Sequence, residues 1–375
     1  MKRILISLMV ILMAFSLFVS CEVNKTPDKP KEEATEGKTT FTKDDFAPVL
    51  TANTVAKNDI DDKANSLVKE NEAMNLTATF KTSDGSPIVL DSNTKNKYDS
   101  ISLSLNYNHN QESESGKYYY ETTEVANLKY HINGETEDRT CNLSDASDLL
   151  YRDLMNIINS NSVRKYLDGS ATESEIIDID GIVNMLASNN PKATFVINIE
   201  IKTYAKSTDL TPTYTFKANV ELSIKNGMLS VRGYLKGEKD LDFYIELDLS
   251  LNLKDIDVKI IDKDFVVNGN ASLTLNKLDV NIFSQYHLTA NGKVELSVED
   301  TKLKSAGIEL ALEEDINKEN IISLDFAIKY TKSGDSSVDL KNFFNSLVVY
   351  KLKIGNDEYT SKAVKEFLLS PAILK

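Results

Sequence analysis

Apolar and polar residues alternate one by one through most of the second half of this chain, from Ala193 to about Tyr330. A period of two is that of a β-strand with two chemically different faces, so the stretch predicts an antiparallel meander broken by short polar turns. Phe195, Ile197, Ile199 and Ile201 mark one strand, and Tyr214, Phe216, Ala218, Val220, Leu222 and Ile224 the next. Asn226-Gly227 suits a tight hairpin onto Leu229, Val231 and Leu235. Leu241, Phe243, Ile245, Leu247, Leu249, Leu251 and Leu253 then alternate with Asp242, Tyr244, Glu246, Asp248, Ser250, Asn252 and Lys254. At about 3.3 Å per residue this strand runs roughly 43 Å, which implies a tall or strongly curved sheet. Burying its seven apolar side chains is worth roughly 10 to 20 kcal/mol. Burying the opposite set unpaired would be costly, so the sheet is expected to be covered on one side and wet on the other.

Elsewhere the patterning is mixed. Ile60, Ala64, Leu67, Val68 and Met74 predict a helix over Asp59–Asn75, followed by strands at Leu76–Phe80, Ile101–Tyr107, Tyr118–Thr122 and Leu128–Ile132, the last closed by Asn133-Gly134. Ser144 stands at an N-cap position, with acids in the first turn and a stripe of Leu150, Leu154, Ile157 and Ile158, predicting a helix over Asp145–Asn159. A second helix is expected over Ile176–Ala187. After a strand at Ile321–Tyr330 come a helical stripe (Leu340, Phe343, Phe344, Leu347), a strand at Tyr350–Ile354, a turn at Gly355-Asn356-Asp357 and a terminal helix through Val364, Phe367 and Leu368. The fold class is therefore α+β and mostly β, a long antiparallel meander with one apolar face flanked by a few amphipathic helices. It divides into an N-terminal α/β part (46–190), the meander (191–332) and a C-terminal helix-strand-helix part (333–375) that packs on the sheet. Weak internal echoes pair Asn219–Lys225 with Lys293–Glu299, and Ser250–Val258 with Ser272–Val280; amphipathic strands share such patterns without duplication.

The N-terminus has a different character. Lys2 and Arg3 precede an apolar run from Ile4 to Val19, too short for a comfortable span and ended abruptly by Glu22, Asn24, Lys25 and Asp28, which reads as a cleaved signal peptide over residues 1–20. Phe18-Val19-Ser20-Cys21 resembles the lipobox of bacterial lipoproteins, in the looser form of spirochaete lipoproteins. The resemblance covers the first twenty-one residues and implies that Cys21 becomes the lipidated first residue of the mature chain. Acyl chains such as palmitate would then hold it on one leaflet, at about 0.8 kcal/mol per buried CH₂. Residues 21–45, rich in Lys, Glu, Thr, Pro and Gly, are expected to form a flexible tether. Cys141 would remain as the sole thiol, excluding an intrachain disulfide, and is read as a small hydrophobe.

With 57 acidic against 43 basic residues the chain carries −14, which excludes nucleic acid as a natural partner. Catalytic patterns are missing from the sequence: there is no Gly-x-Ser-x-Gly, and His109, His131 and His287 lack metal-ligand spacing. Gly37-Lys38-Thr39 lacks the upstream glycine of a phosphate loop, and Asp178-Ile179-Asp180-Gly181 lacks the later ligands of a calcium loop. No catalytic residue, metal site or cofactor is assigned. The expected function is that of a non-enzymatic cell-envelope lipoprotein, structural or partner-binding, exported and anchored to the periplasmic or cell-surface side of a bacterial membrane through Cys21. The alternative is a carrier of lipid or another apolar ligand in a cavity on the apolar side of the sheet.

Overall fold

The computed structural model describes residues 31–90, 97–114, 116–141, 186–225, 228–238, 241–261, 264–332 and 340–370. The signal segment, Cys21, the helix expected over 145–159, most of that over 176–187, and Asn226-Gly227 lie outside them. The described chain is mostly β and antiparallel, as the alternation predicts, and it forms two compact units.

One unit comprises residues 61–225 and 234–241. Its strands are β1 (Ala73–Thr82), β2 (Tyr98–Glu112), β3 (Tyr118–Ile132), β4 (Arg139–Cys141), β5 (Thr194–Tyr204) and β6 (Tyr214–Lys225). Their order is β6-β5-β1-β2-β3-β4, every pairing antiparallel. Strand β5 returns to the open edge of β1, so that Leu76 has Leu105 on one side and Ile201 on the other. Strands β5 and β6, placed in the meander part by the sequence pattern, complete a sheet that β1 begins. Ile88, Tyr98, Ile101, Leu128, Tyr130, Ile132, Cys141, Ala193 and Phe195 form the core, with Phe80 stacked on Phe195 at 5.1 Å.

The other unit comprises the described residues within 31–60, 228–233 and 242–370. It contains the start of β7 (Met228–Gly237), then β8 (Phe243–Ile261), β9 (Asp264–Ile282), β10 (Tyr286–Glu299), β11 (Lys302–Ile316), β12 (Glu319–Thr331), β13 (Leu347–Ile354) and β14 (Asp357–Glu358). From β8 to β14 each strand pairs antiparallel with its successor. Three consecutive hairpins turn on residue pairs at positive φ without glycine: Phe283-Ser284, Asp300-Thr301 and Asn317-Lys318. Two adjacent left-handed residues match the right-handed twist of the strands they join.

Strand β8 continues past Leu253 to Ile261 through a register shift between Asn252 and Asp255. Gly269, opposite at φ +119, admits the bulged backbone: a Cβ there would stand 1.8 Å from the Asp255 carbonyl oxygen. Along β8, Ile245, Leu247, Leu249 and Leu251 are half-buried, and so are Tyr244, Glu246, Asp248 and Ser250. Cross-strand neighbours at about 4.5 to 5.5 Å cover part of each side chain even with no second layer above it. Leu253, at the bulge, is 46% exposed. The polar set satisfies itself laterally, with Lys277 and Tyr244 both donating to Glu246, and Arg232 and Asn276 to Asp248 at 2.9 Å each.

The fully buried core lies toward the C-terminal strands, where Val294, Ile308, Ile322, Ile328, Val349, Leu352 and Ile354 pack with α2 (Leu340–Asn345) and α3 (Ser361–Leu368). Helix α3 starts at Thr360, whose hydroxyl accepts from the Ala363 amide, and buries Ala363, Val364 and Leu368.

Residues 34–46, within the segment expected as a tether, contact the body. Ala34 donates its amide to Val349 O and accepts from the Ser361 amide, and Lys38 bridges in parallel to Tyr359. Phe41, 7% exposed, is ringed edge-on by Phe46, Tyr359 and Phe367. The isolated aromatic in a polar run supplies the apolar surface that offsets the ordering entropy. A 3₁₀ turn at Lys43–Phe46, with Thr42 and Asp45 bonded reciprocally, leads into α1 (Ala47–Lys69). This helix begins and ends before the predicted Asp59–Asn75. Asn71 folds back onto Leu67 O, and Met74 is already paired in β1.

Candidate functional site

A trough of about 600 Å³ lies on one face of β8–β12. Strand register builds it from two neighbouring cross-strand rows. One runs Asn252, Ser272, Glu295, Gly307, Lys329; the other Asp255, Asn270, Ser297, Ser305, Thr331. The second row consists of short side chains and Gly307 interrupts the first, so the middle is low. Lys293 and Glu309, directly opposed on β10 and β11, stand at its margin.

Two irregularities bracket the trough: the β8 bulge at Asn252–Asp255 and a register shift between β10 and β11 at Ser297–Val298. Bulges sharpen local twist, which is how a nominally flat sheet face becomes concave. Lys293 pairs with Glu295 and Lys329 lies 3.9 Å from Glu309, and Asp255 leaves the lining with one excess negative charge. The arrangement offers hydroxyl and amide groups that both donate and accept, and no aligned nucleophile and base.

The residues singled out from sequence are dispersed. The side chain of His109, like Cys21 and Asp178–Gly181, is outside what the structure describes. His131 Nδ1 lies 2.7 Å from Asp99 Oδ2, in one unit. In the other, His287 sits between Asp279 (Nε2 to Oδ1, 3.1 Å) and Asp315 (Nδ1 to Oδ2, 3.7 Å). Cys141 is buried in the β1–β5 core. Lys38 of the Gly37-Lys38-Thr39 triplet pairs with Asp357 at 2.6 Å, and Gly37 takes φ +119 because a side chain would strike the Glu358 carbonyl.

Sequence reasoning missed Glu314, a carboxyl 7% exposed on the same face of β11 as Leu310, Leu312 and Ile316. Asn53 of α1 donates to it at 3.2 Å and Tyr286 of β10 bonds it as well. Burial is the main cause that pushes the carboxyl above its usual range, and the nearby Asp315 adds to the rise. Burial and the facing carboxyl likewise raise the Tyr286 phenol. The signal was present in the alternation Leu310, Leu312, Glu314, Ile316, an acid in an apolar position.

Searches of family models, curated proteins and solved structures found no match to this chain. Among the described residues no helix is long and apolar enough to cross a membrane.

Proposed function

We propose that this protein is a lipid-anchored component of a bacterial cell envelope that works without catalysis, by presenting the face of an extended antiparallel sheet to a partner on the periplasmic or cell-surface side. The lipobox-like Phe18–Cys21 supplies the anchor in this reading. The observation that carries it is the docking of residues 34–46 onto β13, β14 and α3. Only the interval from Cys21 to Ala34 then links lipid to body, a reach of about 45 Å at full extension. The protein is thus held by its own N-terminal strap close to the bilayer rather than on a long leash. In this reading the face that carries the trough is the working side.

The apolar-carrier alternative gains no support from the trough, whose lining is mostly polar. Replacing Cys21 by Ser tests the anchoring. The variant is expected to leave the membrane fraction, and retention there at the wild-type level would contradict the reading. Cross-linking on intact envelopes tests the partner role, with adducts expected through residues of the β9–β11 polar face. Adducts absent there would argue against that face as the working one.

A further inference from the structure

We propose that the trough on β8–β12 is a binding site for a neutral carbohydrate, a short glycan lying across the strands. The inference names the ligand class of the working face assigned above and rests on that reading. Its floor carries Ser272, Ser297, Ser305, Thr331 and Asn270, and every one of these groups both donates and accepts hydrogen bonds. Sugar hydroxyls do the same, so a glycan pairs with such a floor in many registers without leaving a buried polar atom unmatched.

Other ligand classes fit less well. Opposite charges stand in pairs along the trough, Lys293 with Glu295 and Lys329 with Glu309, and Asp255 adds one negative charge at its edge, so an anion is repelled and no cluster of carboxylates is left over to hold a cation. The overall charge of −14 disfavours phosphate-bearing polymers. An apolar ligand would have to desolvate the polar floor without replacing its hydrogen bonds. A peptide that adds as a strand needs an open sheet edge, and here β9, β10 and β11 each have strands on both sides. The volume of about 600 Å³ is in the range of small-ligand sites.

Gly307 provides the test. Its backbone is not in the left-handed region, and a Cβ there would meet only the Glu295 side chain, at 3.5 Å and beyond. Gly307→Tyr therefore fills the trough without straining the strand. The full chain, solubilised in detergent, is screened by saturation-transfer NMR and titration against maltotriose, lactose and chitobiose and on an array of neutral glycans. We expect at least one to bind, and Gly307→Tyr to weaken it by tenfold or more with a thermal midpoint no lower than that of the wild type. The double variant Ser297→Ala/Ser305→Ala, which removes only hydroxyls, is expected to weaken the same glycan severalfold, so the conclusion does not depend on the tyrosine variant folding. No binding to any neutral glycan, or binding undiminished in the folded variants, would overturn the proposal. Because Cys21→Ser leaves the trough intact, loss of glycan binding and loss of anchoring are read separately.

Discussion

The rings of Phe41 and Tyr359 pack edge to face with centroids 4.9 Å apart and planes at 80°, although they come from opposite ends of the chain. Tyr359 also donates its hydroxyl to Asp45 at 2.9 Å. The N-terminal strap is consequently part of the core of the C-terminal strands, and Phe41 is its anchor.

Truncating that anchor is expected to be costly. Phe41→Ala should destabilise the protein by about 3 to 5 kcal/mol, the usual loss for a buried phenylalanine, measured from urea unfolding midpoints. A loss below about 0.5 kcal/mol, typical of a free surface segment, would contradict the docked strap.

Two glycines of the trough region should respond with opposite signs. Gly269→Ala places a methyl 1.8 Å from the Asp255 carbonyl at φ +119, and a loss of about 2 to 4 kcal/mol is expected as the β8 bulge is forced apart. Gly307→Ala meets only ordinary contacts and should gain about 0.5 to 1 kcal/mol by restricting the unfolded chain. Calorimetric midpoints compare the two directly.

The β9–β10 turn is held in a conformation its residues do not favour. Ser284 has φ +57, and glycine removes the left-handed penalty of about 1 to 2 kcal/mol. Ser284 Oγ also donates to Asp242, and that bond is lost on substitution. A net gain near 1 kcal/mol is expected for Ser284→Gly, read from denaturant midpoints; a loss would show that the Asp242 bond outweighs the backbone term.

Glu314 should make stability depend on pH. Its native pKa lies above the ordinary 4.5 because burial disfavours the charged carboxylate. Below 4.5 the group is neutral in both states, and the native-state preference for the proton is fully expressed. As pH rises through 4.5 toward the raised native value, the unfolded chain ionises first and stability falls, after which the deficit is constant. Glu314→Gln keeps an acceptor for Asn53 and Tyr286 without the titration. The variant should be more stable than the wild type at pH 7, with the difference disappearing near pH 4 in paired urea titrations. An equal offset at both pH values would contradict the assignment.

Much of the sheet was legible because alternation is a direct consequence of the pleat. The bulge in β8 was legible too, though only as a change of parity: apolar residues fall on odd numbers to Leu253 and on even ones from Ile256 to Ile260. The echo between Ser250–Val258 and Ser272–Val280 puts its members on adjacent antiparallel strands, where Leu251 faces Leu273 and Asn252 faces Ser272. Shared face chemistry accounts for that likeness. Topology was not legible in the same way: β5 pairs with β1 across a long intervening segment, and local patterning says nothing of distant partners. The strap was missed because one aromatic, Phe41, decides its fate while composition averages over two dozen polar neighbours. The trough was missed because it is made by register, which aligns Asn270, Ser297 and Ser305 only once the bulges are placed.

Lipid anchoring is decided by the state of the mature N-terminus. Mass spectrometry of the chain extracted from bacterial membranes, read on the N-terminal proteolytic peptide, measures it. The prediction is a peptide beginning at Cys21 and carrying the added mass of acyl chains. An unmodified Cys21 inside a peptide that begins elsewhere, or an uncleaved chain starting at Met1, would contradict it.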